Sequence, residues 1–193
     1  MRRIKLYCVL FFVVFAVFAV VSNHYRVIER ASSYSSGPPT GFTGAPDESD
    51  CTACHLGPAL TGQFSIVAPP LYVPGRTYLV RVRHTTTDYT RKRWGFQMTS
   101  LSGQVAAGSF VSLGPATQVL TENERSYAEH TQAGDYAGQL GGAEWAFSWT
   151  APPSDIGPIS FWAAGVQGNR ADGPEGDQVY TASAVLAVGS PTP

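Results

Sequence analysis

The chain has 193 residues, 44% hydrophobic, 12% aromatic and only 14% charged, with a formal net charge of −1. That length holds one domain plus appendages, and the near balance of charge leaves no positive field for a nucleic acid. Ten Phe, nine Tyr and four Trp supply a core that a disordered chain lacks, while twenty Gly and fourteen Pro favour short strands over long helices.

Arg2, Arg3 and Lys5 precede an apolar run from Leu6 to Val21. The run covers about 24 Å at about 1.5 Å per helical residue. Counted from Ile4 to Ser22, with Lys5 reaching outwards, it approaches the roughly 30 Å of a hydrocarbon core. Val20 and Ser22 are small enough for cleavage after Ser22, but no A-x-A site follows the run. Residues 1–31 therefore read as an uncleaved single-pass anchor in preference to a removed signal. Its basic flank stays in the cytoplasm, which sends the rest of the chain to the periplasm or beyond the cell. The expected location is a bacterial inner membrane, with the lipid bilayer as one partner. Cys8, inside the run, reads as a small apolar residue. Residues 32–47, rich in Ser, Gly and Pro, read as a linker without regular structure.

Cys51-Thr52-Ala53-Cys54-His55 is C-x-x-C-H, the attachment signature of a c-type haem. Two thiols at this spacing each reach one of the porphyrin's two vinyl groups, and the adjacent histidine is placed to ligate the iron. A Cys51–Cys54 disulfide would leave His55 without a role. A structural zinc site needs a second Cys/His pair that the chain lacks. A thioredoxin-like motif needs a βαβ context that is absent. One covalent haem c, held in an attachment segment over residues 48–62 with His55 as proximal ligand, is the expectation.

Beyond this segment, residues 63–193 read as an antiparallel two-sheet β-sandwich, so the fold class is all-β. Apolar residues alternate at a period of two: Tyr78, Val80 and Val82 in Thr77–His84, Trp94, Phe96 and Met98 in Trp94–Leu101, and Trp145, Phe147 and Trp149 in Glu144–Thr150. Further strands are expected at Val105–Ser112, Ser126–Thr131, Ile159–Val166 and Gln178–Val188. Turns separate them at Pro74-Gly75, Ser102-Gly103, Gly114-Pro115, Pro152-Pro153 and Gly157-Pro158. Seven or eight such strands make a sandwich of immunoglobulin-like or similar type.

A second axial ligand has four candidates. His24 flanks the membrane run and reads as an interfacial residue. Met98 shares an inward face with Trp94 and Phe96, which favours core filling. His84 ends a strand on the Tyr78/Val80/Val82 face, as a packed histidine or as a ligand. His130 abuts the Gly-rich stretch Gln132–Gly142, which has room for a bulky ring, and is the preferred distal ligand, with Met98 and His84 as alternatives. Arg76, Arg81, Arg83, Arg91, Lys92 and Arg93 form a basic stretch. It reads as a solvated hairpin, or else as a docking patch or a clamp for haem propionates. Asn169 and Asp172–Asp177 lack the order of a calcium loop and read as a polar loop. No nucleophile–base–acid set stands out.

The ordered series Thr43-Gly44-Ala45-Pro46, Cys51-x-x-Cys54-His55, Trp94-Gly95-Phe96, His130-Thr131, Trp145-x-Phe147-x-Trp149-Thr150-Ala151-Pro152 and Asn169…Gly176-Asp177 resembles the reeler-like β-sandwich proteins of the choice-of-anchor V family. The resemblance covers roughly residues 41–188. It implies a reeler-like sandwich with its haem at one edge, and a His-Thr pair where His130-Thr131 stands adds weight to His130. An N-terminal anchor departs from members with C-terminal sorting signals, and the family has no settled activity. The haem therefore directs the functional expectation: a membrane-tethered, monohaem electron carrier, not an enzyme, serving a respiratory or photosynthetic membrane redox complex. A surface binding or adhesion sandwich with a structural haem is the alternative, and a haem enzyme with an open distal position is a lesser one.

Overall fold

The computed structural model describes residues 34–170 and 173–190. The expected anchor over residues 4–22, with His24, lies outside the described residues. No described helix is long and apolar enough to cross a membrane.

The described chain is an all-β two-sheet sandwich. Its strands are β1 (Gln63–Val67), β2 (Leu71–Tyr72), β3 (Thr77–Thr85), β4 (Arg93–Ser102), β5 (Val105–Ala106), β6 (Ser109–Ser112), β7 (Thr117–Glu122), β8 (Arg125–His130), β9 (Gly142–Thr150), β10 (Ile159–Gly168) and β11 (Gln178–Val188). One sheet runs β1-β3-β9-β6. The other runs β2-β11-β10-β4-β8-β7, with β5 added against β4. All pairings are antiparallel except β2 with β11.

The period-two pattern decides which face turns inwards. Val80 and Val82 of β3, Trp94, Phe96 and Met98 of β4, Trp145, Phe147 and Trp149 of β9 and Phe161 and Ala163 of β10 form one buried cluster between the sheets. Edge-to-face contacts such as Trp149 on Phe161, with ring centroids 5.0 Å apart, give this aromatic core a fixed geometry. On the opposite face of the larger sheet, Ala164, Val166 and Val179 form a second, smaller apolar cluster with Cys51. That outer cluster seats the C-x-x-C-H segment.

The expected strands occur, but their number is larger and one is divided. Val105–Ser112 is not one strand: β5 pairs with β4 in the larger sheet and β6 pairs with β9 in the smaller. Gly108, at φ +72°, makes the crossing; a β-carbon there would sit 2.5 Å from the carbonyl oxygen of Thr150. β1, β2 and β7 were not expected, being short or, in β7, weakly alternating. Residues 34–47 carry no strand, as expected, but they are not a free linker. Gln97 Nε2 donates to Pro39 O at 2.8 Å, Phe42 N donates to Gln97 Oε1 at 2.8 Å, and Gln118 Nε2 donates to Ser36 O at 2.8 Å. Polar side chains on the outer face of β4 and β7 thus hold the segment against the sheet as a strap.

Candidate functional site

The attachment segment is fixed from its N-terminal side by a buried carboxylate. Thr43, Arg125 and Tyr127 all bond the Glu48 carboxylate, the tyrosine hydroxyl at 2.7 Å. Burial alone would raise the Glu48 pKa, but those hydrogen bonds and the Arg125 charge outweigh it and hold the carboxyl below its ordinary range. The same burial and the Glu48 contact push Tyr127 up to about 12. Gly44 N donates to Ser49 O at 2.8 Å, closing the turn that delivers the chain to Cys51.

Cys51–Ala53 form one turn of 3₁₀ helix capped by Asp50, whose Oδ1 accepts from Thr52 N at 2.8 Å. The turn continues in two further bonds to Cys51 O, from Cys54 N at 3.2 Å and from His55 N at 3.0 Å. Both cysteines are free thiols, Cys51 buried and Cys54 half-buried. Burial, followed by the nearby Asp50 and Cys54, pushes the Cys51 thiol up to about 12. This is the opposite of the lowered value that marks a thioredoxin-type nucleophile.

Leu56 then pairs in parallel with Glu175 through Leu56 N to Pro174 O at 2.8 Å and Gly176 N to Leu56 O at 2.9 Å. This bridge carries His55 to Asp177, where Nδ1 lies 2.6 Å from Oδ2. Gly57 is required here, since a β-carbon would stand 1.8 Å from the Asp177 carbonyl oxygen.

His130 arrives from the other side. The β4–β8 ladder ends at Gln97↔Glu129. At the next position its place is taken by the His130 imidazole, whose Nδ1 lies 3.2 Å from both N and O of Phe96. The ring crosses Gly95, where a β-carbon would be 2.8 Å from its Cε1. Burial lowers the His130 pKa against the opposing effect of backbone bonds to Phe96 and Tyr34. The neutral ring, with one lone pair available, is the form present near neutrality.

Cys51, Cys54, His55 and His130 line a single open cleft with a cavity volume of about 90 Å³. Trp94, Gly95, Phe96 and Val166 belong to its sheet side, while Tyr34, Pro38, Pro39 and Phe42 bring the strap over it. Arg93 and Arg170 bring positive charge to the lining; Arg93 Nε is 3.2 Å from Asp135 Oδ2. The donor set fits a c-type haem: two thiols and a histidine on one short turn, a neutral histidine on another element, apolar walls and guanidinium groups suited to carboxylates. Among the described residues no group of three or more His, Cys, Asp and Glu side chains is arranged to hold a bare metal ion.

The alternative ligands sit elsewhere. Met98 is fully buried in the inter-sheet core. His84 is also fully buried, stacked on Phe64 at 4.4 Å and bonded through Nε2 to Gly95 O at 3.2 Å and through Nδ1 to Gln167 at 3.2 Å. Burial pushes its pKa down to about 3. Neither lines the cleft.

The basic stretch does not act as one patch. Arg91 is buried and bonded to Asp88, Gln167 O and Gly176 O, so it braces the turn that carries Asp177. Arg81 and Arg83 flank Glu144 on the smaller sheet, and Arg93 lines the cleft. Asp177, Gly95, Asp135, Arg170 and the strap are parts of the site that the sequence reading did not assign. Asp177 falls in a stretch whose sequence reads as a polar loop, and its partner His55 is 122 residues away.

No family model matches the chain, and no curated protein matches it. Among solved structures, the chain is similar to the Reelin-N domain of F-spondin, with 19% identity over 70% of this chain and 91% of that one and a TM-score of 0.46. It is also similar to a DUF4466 family protein from Parabacteroides merdae ATCC 43184, with 11% identity over 64% of this chain and 44% of that one and a TM-score of 0.39.

Proposed function

We propose that the protein is a membrane-tethered, monohaem c-type cytochrome that passes single electrons on the periplasmic side of a bacterial inner membrane. One observation carries the reading: the two C-x-x-C-H thiols, the adjoining His55 and the distant His130 share one cleft. Cys51 and Cys54 would hold the porphyrin through thioethers, and His55 and His130 would supply the axial nitrogens. When bound, such a group supplies one-electron Fe(III)/Fe(II) chemistry.

The chain's own residues do the rest. Glu48 and the Leu56–Glu175 bridge fix the attachment turn, so that little rearrangement accompanies a change of charge. Val166 and the strap residues Pro38, Pro39 and Phe42 give the cleft an apolar side, which lowers its dielectric. Arg93 and Arg170 suit propionate carboxylates. Two protein ligands leave no position for a substrate, which favours a carrier over an enzyme. The apolar run over residues 4–22 would keep the carrier close to a respiratory or photosynthetic membrane complex.

The test is the absorption spectrum of protein matured in a host able to attach haem c. The expected wild-type spectrum is low-spin and unaltered by carbon monoxide in the reduced form. His130→Ala is expected to become high-spin and to bind carbon monoxide, whereas Met98→Leu stays low-spin. A low-spin spectrum that survives His130→Ala contradicts the ligand pair.

A further inference from the structure

Asp177 occupies a position that a polar loop residue would not need. It is buried, with 8% of its side chain exposed. It opens β11's approach from the turn after β10, and three separate contacts fix that turn. Arg91 bonds Gly176 O, Asn169 Nδ2 donates to Glu175 O at 3.0 Å, and Leu56 pairs with Glu175. Its two oxygens are divided between two tasks. Oδ1 accepts the backbone N–H of Asn169 at 2.9 Å, and Oδ2 lies 2.6 Å from His55 Nδ1. The first bond orients the carboxylate; the second directs it at the imidazole.

We propose that Asp177 is the positioning residue of His55. Its Oδ2 accepts a charge-assisted hydrogen bond from His55 Nδ1–H, fixes the ring's tautomer and plane, and leaves Nε2 as the nitrogen presented for ligation. This inference rests on the haem reading above and adds a consequence. A carboxylate behind a ligating imidazole makes that nitrogen a stronger donor. A stronger donor favours the oxidised iron, so Asp177 sets the carrier's potential low. Asp177 touches neither the iron nor a substrate; it acts through His55. The alternative is that the His55–Asp177 contact only braces the fold, in which case its loss would alter stability and leave the potential unmoved.

The full chain is produced in a host with haem c maturation, and potentiometric titration compares wild type, Asp177→Asn and Asp177→Glu. Asp177→Asn keeps a hydrogen-bond acceptor of the same size and removes the charge. It is expected to retain covalent haem and a low-spin spectrum while its potential rises, the reduced-to-oxidised ratio at fixed ambient potential growing at least tenfold (~59 mV for one electron). Asp177→Glu restores the charge and is expected to return the potential most of the way. A haem-bearing Asp177→Asn protein with an unchanged potential overturns the proposal and leaves the haem reading intact. A wild type that carries no haem overturns both.

NMR of the reduced wild type gives a measurement that needs no variant. The His55 Nδ1 proton is expected far downfield and protected from exchange, held between nitrogen and carboxylate. A rapidly exchanging proton at that nitrogen contradicts the proposal.

Discussion

His130 occupies the space that a side chain at position 95 would need: its Cε1 stands 2.8 Å from the point where a β-carbon of Gly95 would be. The strand that carries Gly95 and the strand that ends at His130 are thus fitted to one another at the wall of the cleft. Gly95→Ala is expected to displace the ring and cost about 1–3 kcal/mol, in the range of overpacked sites. For a domain of this size that is roughly 2–4 °C in Tm per kcal/mol. In haem-loaded protein part of the population should turn high-spin. A differential scan and an absorption spectrum check both, and an unchanged spectrum would separate Gly95 from ligand placement.

Glu48 anchors the turn before the cysteines, and its ion pair with Arg125 is largely buried, with the carboxylate side chain 5% exposed and the guanidinium 18%. Glu48→Gln leaves Arg125 with a weakened partner and is expected to cost about 3 kcal/mol at pH 7, near the lower end for broken buried pairs. The folded carboxyl lies below its ordinary value of 4.5. Its contribution is therefore complete above pH 4.5 and is lost as pH falls through the folded value. Urea melts of wild type and variant should differ at pH 7, and the gap should narrow as pH falls below 4.5; a gap that does not shrink in acid would contradict this role.

His84 is neutral in the core, with a pKa near 3 against an ordinary 6.5. Stability from this group is complete above pH 6.5 and declines as pH falls towards 3, because only the unfolded chain takes up the proton. Well below 6.5 the slope approaches about 1.4 kcal/mol per pH unit. Glu129, which burial pushes up to about 7, works in the opposite sense. The His84 share is therefore the difference between wild type and His84→Gln across pH 6 to 4. Parallel curves would show that His84 is protonated in the fold.

The sandwich was legible because strand alternation is local. Trp94/Phe96/Met98 and Trp145/Phe147/Trp149 each declare an inward face within five residues, and all six are buried. β5 and β6 were not separable, because the switch between sheets at Gly108 is a property of backbone φ and of Thr150 across the way. In the site, C-x-x-C-H is contiguous and visible in one glance, whereas Asp177 and Gly95 matter only through partners 122 and 35 positions away. The strap looked like a linker because the bonds that tie it to Gln97 and Gln118 are made by its backbone. Its own Ser, Gly and Pro residues carry no trace of them.

The attachment of a porphyrin to Cys51 and Cys54 is tested most directly by intact mass under denaturing conditions, on chain matured in a haem c-competent host. The account predicts the polypeptide plus one haem, with the added mass lost in the Cys51→Ala/Cys54→Ala double variant. A wild type that runs at the mass of the bare polypeptide would contradict it.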